Sequence, residues 1–361
     1  MDEKVLVTGA SGYIAMHIVN ILQSERYHVV ATVDSQQKAD RISYAFEHYY
    51  PYAVLDVVII NDTATPNAFE DVFQKHPDIQ HVIHTAPPAS LGEGNTTESA
   101  YLTPATEGTR NVLESIRKFG TNVKRVVVTS SFSALMDLDR AGDPKCVISE
   151  ESWNPITWEQ AKDKDSKAYS ASKKIAEQMV WKFYNDNKDS VGYTVTTVNP
   201  PYVFGPHVFE WGLESGEWNT TAEFIKKALD LTSKDHGPFI KPRGISCDVR
   251  DVALLHVLPL RNPDLAGKRL FPVNGTGIKQ HSYEDGKFNL QRIVNILSAT
   301  FPELENKLPA GSQVENQANI DQLARYNNDE TCNLTGMEFK SFAVTLRDAA
   351  NQIIKVQSKK D

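Results

Sequence analysis

Lys4-Val5-Leu6-Val7-Thr8-Gly9-Ala10-Ser11-Gly12-Tyr13-Ile14-Ala15 is the stretch whose reading decides the fold. An apolar run of strand type meets a glycine turn, and over residues 11–25 Ile14, Ile18, Ile21 and Leu22 recur at helical spacing. A glycine motif that follows a strand and opens a helix has the context of a dinucleotide fingerprint. Gly9 makes the tight turn, Gly12 lets the backbone approach a pyrophosphate, and the helix N-terminus offers N–H groups to it. Ala15, where a third glycine is usual, is small enough for close packing of helix on strand. Gly9, Ser11, Gly12, Tyr13 and Ile14 are therefore candidate cofactor contacts.

Further apolar runs at residues 28–33, 53–60, 81–85, 123–129 and 193–198 alternate with helical patterns. They are continuous rather than alternating, as expected of strands buried on both faces of a parallel sheet, and predict an α/β, doubly wound Rossmann fold. After Pro200-Pro201 the rhythm breaks into an aromatic, glycine-bearing stretch at 204–218. Helical patterns follow at 220–231 and 286–300, and an amphipathic one closes the chain at 340–356. The expected division is a dinucleotide-binding domain over 1–205, with 245–262 returning to it. A smaller substrate-binding domain takes 206–244 and 263–361.

With 361 residues, of which 40% are hydrophobic and 23% charged, the chain can bury a sizeable core. A formal charge of -8 leaves no electrostatic footprint for nucleic acid or anionic lipid and points to a small neutral or polar partner. Three scattered cysteines, Cys146, Cys247 and Cys332, form neither a metal spacing nor a disulfide framework, which suits a reducing compartment. No signal-peptide pattern or span of roughly 18 apolar residues is visible. The expectation is a cytoplasmic, metal-free protein, monomeric or homodimeric.

The chemistry is written in two further places. In Tyr169-Ser170-Ala171-Ser172-Lys173 the phenol and the ammonium lie four residues apart on one helix face. A cation beside a phenol favours the phenolate, which prepares Tyr169 to exchange a proton near neutral pH. Thr129-Ser130-Ser131 ends a strand, at the edge where open α/β sheets bind ligands, and a serine hydroxyl there can hold a substrate carbonyl against the phenol.

These motifs, with Asn199-Pro200 and Asp248-Val249-Arg250-Asp251-Val252-Ala253, resemble the extended short-chain dehydrogenase/reductase superfamily. His84-Thr85-Ala86, the segment from Glu150 to Pro155 and Tyr202-Val203-Phe204-Gly205-Pro206 narrow the resemblance. They are similar to fungal carbonyl reductases of the methylglyoxal and isovaleraldehyde reductase type, relatives of plant dihydroflavonol 4-reductase. The resemblance runs from about residue 4 to 354. It implies a catalytic serine at Ser131, a proton donor at Tyr169, and a lysine at Lys173 that also holds the nicotinamide ribose. It further implies cofactor contacts at Thr85, Ala86, Asp62 and Pro200. Phe132 and Tyr202 are candidate walls of the substrate pocket, and Ala89 departs from the family pattern, standing where close relatives carry an aromatic side chain over the substrate.

The resemblance breaks at the end of the second strand, where such reductases carry an arginine for the 2′-phosphate of NADP. Asp34 stands there instead, repelling that phosphate and able to accept from the ribose hydroxyls of NAD, while Lys38 one turn later attracts a phosphate. The expectation is NAD(H), with NADP(H) as the close alternative. The implied reaction is hydride delivery from reduced nicotinamide to an aldehyde or ketone. A nucleotide-sugar epimerase or dehydratase on the same fold and a non-catalytic dinucleotide sensor are the rival readings.

Overall fold

The computed structural model describes residues 3–52, 54–85, 96–216, 218–237, 239–277 and 286–359. The chain divides into two compact units. One comprises Met1–Leu138, Glu151–Asn199 and Ala253–Leu270, the other Asp139–Glu150, Pro200–Val252 and Phe271–Asp361.

The first unit is built on a seven-stranded sheet. Its order is Arg269–Leu270, Thr194–Val198, Arg125–Thr129, His81–His84, Lys4–Thr8, His28–Val33 and Leu55–Ile59, every ladder parallel. Val5, Leu6, Val7, Val29, Val30, Val82, Ile83, Val126, Val127 and Val195 have no accessible surface, which is why these runs read as continuously apolar. The helix Tyr13–Ser24 buries Ile18, Val19 and Leu22. In register, Thr8 lies opposite His84, and Thr129 opposite Val198. The strands therefore end at one level, and loops leaving that edge carry Gly9, Asp34, Thr85 and Ser131.

The second unit has its own core, in which Phe204, Leu213, Ile225, Phe288, Ile293, Leu297, Phe342 and Leu346 are buried. A three-stranded sheet runs Lys287–Phe288, Gly244–Asp248, Tyr202–Phe204. The Asp248-to-Ala253 motif acts as a clamp here. Arg250 donates to both carboxylate oxygens of Asp248, at 2.9 and 2.7 Å, and to Asp348 of the helix Phe342–Ser358 at 2.7 Å. Fork-to-carboxylate geometry of this kind fixes orientation as well as distance.

The division differs from the expected boundaries. Residues 139–150 belong to the second unit because Val147–Ile148 pairs with Arg325–Tyr326. Residues 200–205 also belong there, because the strand Tyr202–Phe204 pairs with Gly244–Asp248 and not with the large sheet. What returns to the first unit is 253–270, ending in the edge strand Arg269–Leu270.

The second unit also buries Glu150, whose Oε1 accepts from the Thr331 amide at 2.8 Å and the Thr331 hydroxyl at 2.6 Å. Burial pushes this carboxyl above its usual range, while the Thr331 donors pull it back. The Thr331 hydroxyl also accepts from the Phe271 amide at 2.8 Å. Thr331→Val leaves both partners buried and short of a bond, and is expected to destabilise by about 1–3 kcal/mol in urea unfolding. An unchanged midpoint would show that Glu150 finds other donors.

Candidate active site

Three features of the first unit fit a dinucleotide. Gly9 has φ +62, the left-handed region, and a Cβ there would lie 3.0 Å from Thr85 Oγ1, so turn and close approach both call for glycine. A Cβ on Gly12 would stand 3.2 Å from the Gly9 carbonyl. Gly12 is also the N-cap of the helix Tyr13–Ser24 and has no side chain with which to cap it. The helix N-terminus thus carries no side-chain cap of its own, which suits the approach of an outside anion. Tyr13 and Ile14 open its first turn, and Ser11 stands just before its N-cap.

The remaining expected contacts lie on the same strand ends. Asp34 follows His28–Val33, and its carboxylate takes Lys38 Nζ at 2.6 Å, both side chains about half exposed. Asp62, beyond Leu55–Ile59, is exposed and holds its own loop through the Ala64 amide at 2.8 Å. Thr85 is buried and donates to the Thr8 carbonyl. Ala86 and Ala89 lie outside the described residues. Pro200 and Tyr202 belong to the second unit, where Tyr202 packs edge-on to Phe288 at 5.4 Å and keeps 40% of its surface exposed.

Tyr169 and Lys173 lie on the helix Asp165–Asn187, which packs against the 3-10 turn Phe132–Ala134. Lys173 Nζ lies 5.6 Å from the centroid of the Tyr169 ring, and Tyr101 meets that ring edge-on at 6.2 Å. Lys173 is 7% exposed and has no hydrogen-bond acceptor among the described residues, so burial pulls its pKa from 10.5 down to about 8. A cavity of about 20 Å³ beside it is lined in part by His84, Thr109, Thr129, Ser130 and Glu177.

His84 is buried with its pKa pushed down to about 4, first by burial and then by the Lys173 charge, and so stays neutral. Thr109 gives its single hydroxyl proton to the Ala105 carbonyl at 2.7 Å, so His84 Nε2, 3.3 Å away, must be the donor. Nδ1 then accepts from the Thr8 hydroxyl at 2.8 Å.

The structure separates the two serines that spacing left together. The Ser130 hydroxyl donates to the buried carboxylate of Glu177. Ser131 Oγ accepts from the Ser133 amide at 3.1 Å as the N-cap of the 3-10 turn, which leaves its proton to give. Phe132 is the first residue of that turn, half-buried. Glu177 was missed as a site residue. The signal for it was its place four residues beyond Lys173, on the face that already carries Tyr169.

Among the described residues no cluster of His, Cys, Asp or Glu is placed to hold a metal, and no helix is long and apolar enough to cross a membrane. The three cysteines are buried thiols.

Residues 5–271 match the model of the NAD-dependent epimerase/dehydratase family, and the chain belongs to that family, the extended short-chain dehydrogenases/reductases. Within it the chain is 34% identical to the NADPH-dependent methylglyoxal reductase GRE2 of Saccharomyces cerevisiae, over 99% of both chains. The crystal structure of yeast methylglyoxal/isovaleraldehyde reductase Gre2 with NADPH superposes with a TM-score of 0.88 at 34% identity, again over 99% of both chains. The Candida albicans Gre2–NADPH complex gives 0.86 at 32%, covering 98% of this chain and 99% of that one.

The buried lysine has a measurable signature. Between pH 8 and 10.5 the unfolded chain binds a proton at Lys173 that the folded chain has released, so folding stability rises with pH across that window; below it the group lowers stability by a constant, pH-independent amount. Lys173→Met should therefore be more stable than the native protein at pH 7, with the gap in denaturant midpoint closing by pH 10.5. A gap independent of pH would mean that the ammonium is solvated.

Proposed function

We propose that Ser131, Tyr169 and Lys173 carry the reaction of this protein, an NAD(P)H-dependent carbonyl reductase converting aldehydes or ketones to alcohols. The observation that carries the assignment is the division of labour between the serines, since Ser130 spends its proton on Glu177 and Ser131 retains its own. The reduced nicotinamide, when bound, supplies the hydride, whose electron pair forms the new C–H bond at the carbonyl carbon. Ser131 donates a hydrogen bond to the carbonyl oxygen, which strengthens as that oxygen takes up the π electrons. The Tyr169 phenol gives the oxygen its proton, and the Lys173 ammonium stabilises the phenolate left behind. The reading also assigns Lys173 to the nicotinamide ribose, Gly9, Ser11, Gly12, Tyr13 and Ile14 to the pyrophosphate, and Asp62, Thr85 and Pro200 to the rest of the cofactor. Phe132 and Tyr202 are its candidate pocket walls. Small carbonyl compounds such as methylglyoxal, for which a relative is named, are the substrates to test first, and the reading places the enzyme in the cytoplasm.

For the cofactor, the preference for NAD expected from Asp34 finds no support among relatives named or crystallised with NADPH. The ion pair gives a physical reason: Lys38 already offsets the carboxylate, so a 2′-phosphate there meets a nearly neutral pair rather than a bare charge. The two residues then act in opposite directions and only on the phosphorylated cofactor.

Two measurements test this reading. Tyr169→Phe keeps the ring and loses the proton, so kcat should fall by about 10²–10⁴-fold, while NADPH still binds; a variant with native turnover would sink the mechanism. In the cofactor series, Lys38→Ala should lower kcat/KM for NADPH by roughly tenfold, or about 1.4 kcal/mol, and Asp34→Ala should raise it. NADH should be nearly indifferent to both. Equal changes with the two cofactors would place the pair away from the 2′ position.

A further inference from the structure

Tyr169, Lys173 and Glu177 occupy three successive turns on one side of the helix Asp165–Asn187. The Glu177 side chain is fully buried, and five donors converge on its two oxygens. Oε2 accepts from the Ser130 hydroxyl and from Asn199 Nδ2 at 2.6 Å. Oε1 accepts from Arg269 Nε at 2.6 Å and Trp181 Nε1 at 3.2 Å, with Thr197 Oγ1 at 3.3 Å sharing its one proton with Asn199 Oδ1 at 3.1 Å. Asn199 Nδ2 also reaches the Ser131 carbonyl, at 3.4 Å, and the Ser130 amide donates to the Val198 carbonyl at 2.8 Å. One carboxylate thus ties the helix that carries the phenol to the ends of three strands, one of which runs on into Ser131.

Stability alone does not call for this arrangement. A buried ion pair is often matched or bettered by apolar packing of the same volume, and one documented use of keeping such a charge is to specify geometry. Arg269 is itself fixed on three sides, stacked on Trp153 with its guanidinium 3.9 Å from the ring centroid and donating to the Ser152 carbonyl at 2.6 Å as well as to Glu177. A glutamine could not replace the carboxylate, since its amide would turn an N–H toward donors.

We propose that Glu177 is a positioning residue for the reduction, setting the place of the Ser131 hydroxyl relative to the Tyr169 phenol through Ser130 and Asn199. This rests on the assignment of Ser131 and Tyr169 above. The effect reaches the chemistry through Ser131, so it should vanish when the Ser131 hydroxyl is absent, which a purely structural role would not do.

The test is a double-mutant cycle on the full chain with NADPH and methylglyoxal, reading kcat, the NADPH dissociation constant by fluorescence, and Tm. Glu177→Gln is expected to lower kcat by about 10²-fold, the scale of an ångström's misplacement. NADPH affinity should stay within about twofold, and in a Ser131→Ala background the same change should cost no more than about twofold in kcat. Ser130→Ala, a smaller change that removes one of the five donors, carries the same test should Glu177→Gln fail to fold. It should lower kcat in the native background and leave it unchanged beside Ser131→Ala. Equal fold losses in both backgrounds, or a native kcat for the folded variant, would overturn the positioning role while leaving the Ser131–Tyr169 assignment intact. Native turnover in Ser131→Ala or Tyr169→Phe would overturn the assignment itself, and the positioning role with it.

Discussion

The ammonium of Lys173 is buried with no carboxylate bonded to it among the described residues, although Glu177 stands four residues further along the same helix face. Ordinarily such a pair would close, raising the lysine pKa and fastening its charge. It does not close because the glutamate oxygens are already taken by Ser130, Trp181, Thr197, Asn199 and Arg269. Lys173 is thereby left with a pKa near 8 and its charge directed at the Tyr169 ring. Under the proposed mechanism, the stability forgone by burying a lone ammonium would serve the neighbouring phenol, since an exposed or paired lysine would stabilise a phenolate far less.

A parallel sheet makes this possible without strain. Its strands satisfy their backbone groups within the ladder and finish together, so side chains from distant parts of the sequence arrive at one edge already aligned. His84, buried and neutral, closes the space behind Lys173 and adds no second cation at working pH. Gly9 matters for a related reason, because Thr85 from a neighbouring strand occupies the space a side chain would need.

Much of this was legible in the sequence, for identifiable reasons. The strands at 4–8 and 28–33 could be read to the residue because their apolar runs are continuous and bounded by turn or polar residues. Arg269–Leu270 could not be read, because two residues carry no periodicity and the strand exists only through its neighbour Thr194–Val198. The contact division departs from the expected boundaries for the same reason, since Val147–Ile148 and Tyr202–Phe204 are assigned by their partners rather than their composition. Spacing brought Tyr169 and Lys173 together but could not choose between Ser130 and Ser131, whose difference is where one proton points. Glu177 reads in sequence as a polar helix position, since burial of a carboxylate shows only when its donors, from residues 130 to 269, are assembled. The weight placed on Asp34 was excessive because an i,i+4 lysine can neutralise a carboxylate, and whether it does so is a matter of rotamers.

The family match ends at residue 271, where the last stretch of the second unit begins. The first unit, holding Ser131, Tyr169, Lys173 and Glu177, therefore lies within the part that epimerases, dehydratases and reductases of this family have in common. Phe288 and Phe342, around which the second unit packs Phe204, lie beyond it. A fold does not by itself choose a substrate. The aromatic core of Phe204, Phe288 and Phe342 is thus assembled from both sides of the point where the family match stops.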